Sequence, residues 1–124
     1  MNVQVFGKRK SFDTQKAERY FKERRIPYQL VDLLEKGLSK GEFASVKAAV
    51  GLAAMVDAES KDYARLNMAY FGNSSVAEET LFRNPSLYRA PIVRNGKKAT
   101  VGFAPEVWDT WTDGPPSPSG IGRR

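Results

Sequence analysis

Apolar and polar positions alternate weakly over Asn2 to Phe6, a short run that suits a central strand of a small sheet. Helical spacing follows. Ala17, Tyr20, Phe21 and Arg24 or Arg25 fall on one face, with Lys16, Glu18, Lys22 and Glu23 on the other, which predicts a helix over 13–24. Ser11 and Asp13 are both placed to cap it. Ile26-Pro27 ends it, because the residue before proline disfavours helix. Tyr28 to Leu33 reads as a second strand, parallel to the first through a right-handed crossover.

Glu35-Lys36-Gly37 reads as a turn. Ser39-Lys40-Gly41-Glu42 is a capping-box pattern that opens a helix to about Val50, with Phe43, Val46, Lys47 and Val50 on one face. Leu52 to Val56 predicts a short helix, and 60–70 another that Gly72-Asn73 breaks. Ser75-Val76-Ala77-Glu78 is a second capping box for a helix to about Arg83. Asn95-Gly96 is the strongest hairpin signal and joins 92–94 to 99–101. Pro105 to Trp111 is a closing helix, with Trp108 and Trp111 on one face. The order strand, helix, strand, helical insertion, hairpin, helix predicts an α/β sandwich. It is one domain over 1–112, with an all-helical insertion at about 39–83. Residues 113–124, rich in proline and glycine, have almost nothing to bury and are expected to be a disordered tail.

Composition narrows the chemistry. The 124 residues are 41% hydrophobic, enough to bury a core without cross-links. No cysteine is present, which removes disulfides, thiolate metal sites and thiol redox chemistry. No histidine is present either, which removes the commonest general base and metal ligand. No metal-ligand spacing occurs, and Asp57, Glu59 and Asp62 read as a solvated acidic edge. The chain lacks a run long enough for a membrane helix and opens without a leader pattern, so a cytoplasmic protein is expected. The net charge of +6 favours anionic partners or, equally, a solvated basic surface.

The concentrated charge lies at Lys8-Arg9-Lys10, between the first strand and the first helix. Such a junction aims backbone N–H groups and the helix dipole at the loop. Gly7-Lys8-Arg9-Lys10-Ser11 lacks the spacing of a nucleotide phosphate loop.

Phe6-Gly7, the basic loop, Ser11, Asp13-Thr14 and Lys16-Ala17 resemble the opening of the ArsC-type arsenate reductase and Spx family. Later marks are similar too: Asn84-Pro85-x-Leu87, Arg89-x-Pro91-Ile92-Val93, and Val101-Gly102-Phe103-x-Pro105-Glu106. The resemblance spans Val3 to Trp111 and implies a thioredoxin-like fold. It also implies a cis Ala90-Pro91 bond facing the opening loop. By the same alignment Ser11 stands where the family has its catalytic cysteine. The resemblance implies an oxyanion or thiol-ligand site from Lys8, Arg9, Lys10, Thr14, Arg65, Arg89 and Pro91. Arg89 sits one position before the place next to the proline.

In the family the cysteine thiolate attacks an oxyanion or joins glutathione, the co-substrate, with no bound cofactor. A serine without a histidine base is a poor nucleophile and cannot exchange disulfides. The expectation is therefore a redox-inactive relative of glutathione- and glutaredoxin-dependent reductases, with enzyme activity left open. If the serine stands in for a native cysteine, the reading becomes a reductase. Three alternatives stay open: Ser11 as a mere helix cap, an Spx-like adaptor for RNA polymerase, and, last, direct nucleic-acid binding. A monomer is expected, since no long apolar edge stands out.

Overall fold

A computed structural model describes residues 2–111. Four strands form one mixed sheet in the order β2-β1-β3-β4. The strands are β1 (Val3–Gly7), β2 (Tyr28–Asp32), β3 (Ile92–Asn95) and β4 (Lys98–Val101). β1 pairs in parallel with β2, Val5 opposite Leu30, and antiparallel with β3, Phe6 opposite Ile92. This is the mixed sheet flanked by helices that the thioredoxin-like resemblance implies.

Strand alternation divides the core. Val3, Val5 and Val93 face α1 (Phe12–Glu23) and α8 (Pro105–Trp111), where they pack with Ala17, Tyr20, Phe21 and Trp108. Phe6 and Ile92 face the helical side, with Leu33, Phe43, Val46, Met55, Leu81 and Tyr88. That side comprises α2 (Leu33–Lys36), α3 (Lys40–Val50), α4 (Leu52–Met55), α5 (Lys61–Arg65), α6 (Met68–Phe71) and α7 (Ser75–Arg83). A 3₁₀ turn at Pro85–Leu87 leads back to the sheet. Trp108 is fully buried and donates its indole N–H to Thr100 Oγ1 at 2.8 Å, while Trp111 is half-buried.

Several local expectations are corrected. α1 ends through a Schellman arrangement rather than at the proline itself. Arg25 takes a left-handed φ of 57°, Ile26 N–H reaches Phe21 C=O at 2.9 Å, and Arg25 N–H reaches Lys22 C=O at 3.1 Å. The segment 35–37 is not a plain turn: Asp32 caps a helical turn that Gly37 closes. The helix expected over 60–70 is two helices, because Asn67 turns left-handed at φ 57° between α5 and α6. Ser39 and Glu42 do form the capping box. The second box does not form on Ser75: Ser74, one residue earlier, caps α7 through the Ala77 N–H. The hairpin loop is Gly96-Lys97, with Asn95 paired to Lys98 inside the ladder. Gly96 has a positive φ and Lys97 does not, the pattern of a type II′ turn rather than an Asn-Gly type I′ turn. The tail expected at 113–124 lies outside the described residues.

Candidate functional site

The β1–α1 junction is built around Gly7 and Thr14. Gly7 is buried on the α1 face, and a Cβ there would lie 2.3 Å from the Thr14 methyl. This close approach lets Thr14 Oγ1 accept the Lys8 N–H at 3.3 Å. Ser11 closes the other side: its Oγ accepts the Thr14 N–H at 3.1 Å, and its own N–H donates to Lys8 C=O at 3.1 Å. Ser11 is therefore the N-cap of α1, and Asp13 lies within the first turn. The amides of Arg9, Lys10, Phe12 and Asp13 donate to no acceptor among the described residues. Four open N–H groups thus crown a twelve-residue helix beneath three consecutive cations.

Those cations behave differently. Lys8 folds inward, and its ammonium donates to Ser86 C=O at 2.9 Å. Burial holds its pKa below the ordinary lysine value, with Asp57 pulling the other way. Arg9 is exposed and stands 3.9 Å from Asp32 at the end of β2. Lys10 is exposed and makes no ion pair or hydrogen bond among the described residues.

Pro91 is buried one step beyond the Phe6–Ile92 register, which places it beside Gly7. The Ala90-Pro91 bond is cis, as the resemblance implies. The Pro91 carbonyl accepts Gly102 N–H at 2.8 Å. Arg89 is anchored by its backbone, with its N–H on Met55 C=O at 2.8 Å. Its guanidinium lies against Gly102, within 3.7 Å of where a Cβ would sit. No hydrogen bond or ion pair ties it to the loop among the described residues. Arg65 donates through Nε to Asp62 at 2.8 Å. Asp62 also accepts from the Ser86 hydroxyl, and its two donors hold its carboxyl below the usual carboxylate range.

A chain Lys8–Ser86–Asp62–Arg65 therefore links the loop to the helical side. By its sequence neighbours Asp62 belongs to a solvated acidic edge; the fold makes it the hub of this chain. The three-residue spacing to Arg65 was a readable sign of their pairing, whereas Ser86 arrives from 24 residues away. The junction brings together Lys8, Ser11, Thr14 and Pro91, joins Arg65 indirectly, and leaves Arg89 and Lys10 without a direct tie.

Beside the loop, a cleft of 490 Å³ runs between α1 and β2, bounded by Gly7, Lys8, Thr14, Glu18, Leu30 and Asp32 among others. Among the described residues no cluster of His, Cys, Asp and Glu could hold a metal ion, and no helix is long and apolar enough to cross a membrane.

The ArsC family model matches residues 6–111. The chain is similar in structure to arsenate reductase from Vibrio cholerae, with a TM-score of 0.75 and 24% identity, covering 86% of this chain and 94% of that one. It is also similar to an ArsC-family-related protein from Bacteroides fragilis, with a TM-score of 0.75 and 21% identity, covering 89% and 97% of the two chains. An arsenate reductase (ArsC) related protein from Brucella melitensis gives a TM-score of 0.66 and 19% identity, covering 91% and 96%. At these identities the likeness is one of fold. No curated protein matches the chain by sequence.

Proposed function

The chain belongs to the ArsC family, and from that premise we propose that it is a thiol-free member that binds a small oxyanion at the β1–α1 loop without reducing it. The observation that carries the reading is the hydrogen-bond state of the loop. Ser11 Oγ is engaged as a cap on Thr14 N–H, and among the described residues no hydrogen-bonded carboxylate or amine stands ready to take its proton. An unactivated hydroxyl is a poor nucleophile. Without a cysteine anywhere in the chain, no thiolate forms and no disulfide closes. Anion binding needs neither group. The open amides of Arg9, Lys10, Phe12 and Asp13, with the Lys10 ammonium and the dipole of α1, suit phosphate or arsenate.

Two measurements test this reading. Phosphate or arsenate titrated into the ¹⁵N-labelled protein is expected to shift those four amides at millimolar ligand or below. Absence of any shift there overturns the oxyanion site. Arsenate reduction coupled to glutathione and glutaredoxin is expected to be silent for this chain and active for Ser11→Cys. Turnover by the serine form overturns the redox-inactive assignment. Silence of both forms, with anion binding intact, restricts the function to binding.

A further inference from the structure

β2 ends the sheet, and among the described residues nothing is hydrogen-bonded to its outer edge. An edge strand turns a row of backbone N–H and C=O groups outward, ready to pair with another strand. The two edges of this sheet are guarded unequally. β4 carries the exposed Lys98 next to the Lys97 turn, and an edge lysine discourages pairing. β2 has no lysine and no proline, and its one charge, Asp32, is its last residue. Its central residue is as open as its edge. Leu30 lies on the α1 face opposite fully buried Val5, yet it is 52% exposed, because α1 packs over β1 and stops short of β2.

The charges beside this edge indicate what covers it. Along the adjoining cleft stand three cations, Lys8, Arg9 and Lys36, and three carboxylates, Glu18, Asp32 and Glu35. A surface without net charge favours neither an acidic nor a basic partner, but mixed signs can match themselves across a two-fold axis. We propose that β2 pairs antiparallel with β2 of a second copy of this chain, extending the sheet to eight strands. Full overlap of the five residues sets Leu30 against the partner's Leu30, so that the two exposed leucines cover each other. It also sets Tyr28 against the partner's Asp32. Glu18 accepts the Tyr28 hydroxyl at 2.9 Å, and Arg9, 91% exposed, stands 3.9 Å from Asp32. The pairing therefore brings Glu18 towards the partner's Arg9, once on each side of the axis.

The geometry leaves room for this contact. β1 and its copy then lie three strand spacings apart, about 14 Å, against about 8–10 Å for helices in contact. The α1 helices above them clear one another, and the two clefts join over the paired leucines. The outward groups of β2 supply about four to six backbone hydrogen bonds, two for each outward residue. Five residues a side are fewer than the about 20–30 of a stable interface, so the dimer is weak and forms at high concentration. The monomer expected from the sequence rests on the lack of a long apolar edge; here backbone groups make the contact and a single leucine suffices.

The test is the mass of the full chain by sedimentation, from micromolar to about millimolar concentration. The mass is expected to rise towards twice the monomer value, and dilution of the ¹⁵N-labelled chain to shift the amides of Tyr28–Asp32. Leu30→Lys places like charges opposite each other at an exposed position, and is expected to stay monomeric with an unchanged fold by its spectrum. Leu30→Cys gives this cysteine-free chain a single thiol. Opposed Cβ atoms about 4.5–5.5 Å apart approach disulfide reach, so air oxidation is expected to cross-link it about tenfold or more faster than Val76→Cys, a comparably exposed control on α7. A monomer throughout overturns the proposal, and slow exchange of the β2 amides in that monomer would assign the edge to some other segment. A dimer that persists in folded Leu30→Lys, or equal cross-linking of the two cysteine variants, overturns it as well, by placing the contact on another face.

Discussion

Gly7 leaves no room for a side chain, since a Cβ would stand 2.3 Å from the Thr14 methyl. Gly7→Ala is expected to destabilise the protein by about 1–3 kcal/mol, the usual cost of forcing volume into a packed site, read as a lower urea midpoint. Ser11→Ala removes a cap bond and is expected to cost about 1 kcal/mol. Tyr28 gives a pH signature. Burial first, and then its bond to Glu18, push its hydroxyl up from 10.0 to about 12. The unfolded chain therefore ionises this tyrosine first and binds fewer protons above pH 10. Stability is fully present below that pH and is lost as pH rises towards about 12. Tyr28→Phe is expected to flatten the fall in urea midpoint over this window. Lys8, with its lowered pKa, acts in the opposite sense. Its burial costs most while the ammonium is charged, and that cost eases as pH rises through its folded pKa. An unchanged slope in Tyr28→Phe would refute the assignment to Tyr28.

Among the elements, those with a strong local signature were legible and those set by distant contacts were not. The apolar stripe of α1 and the capping box of α3 could be read from the residues themselves. The left-handed turns at Arg25 and Asn67 could not, because neither residue is glycine and each φ is imposed by what its neighbours must reach. Ile26, packed against the cluster that holds Phe21, pulls the chain round at Arg25. Arg25→Gly is expected to raise stability by up to about 1 kcal/mol in urea unfolding, because glycine enters this region without the Cβ clash. Loss of stability would place the value of Arg25 in its side chain instead. At the loop, the basic run and the cap were legible as residue types. What could not be read was direction: Lys8 turns inward to Ser86 while Arg9 and Lys10 stay in water. The α1–β2 cleft was likewise unreadable, since it depends on how far a helix overhangs a sheet edge.

At the scale of the whole molecule, the sheet separates two apolar cores and α8 seals one of them. Trp108 stacks edge-on with Tyr20, and its N–H meets the buried Thr100 hydroxyl. Trp108→Phe is expected to cost about 1–3 kcal/mol, since it leaves that hydroxyl without its donor. Thr100→Val in the same background should recover part of the loss in urea unfolding, and no recovery would assign the cost to packing alone. β1 is hydrogen-bonded along both edges and covered on both faces, so its amides open only when the entire chain does. Two and three residues past its end, the Arg9 and Lys10 amides have no partner among the described residues. In deuterated solvent a slow clock and a fast one therefore tick within a single hexapeptide, Val5 to Lys10. A bound oxyanion would slow the fast clock directly, and would slow the other only by as much as it stabilises the folded state.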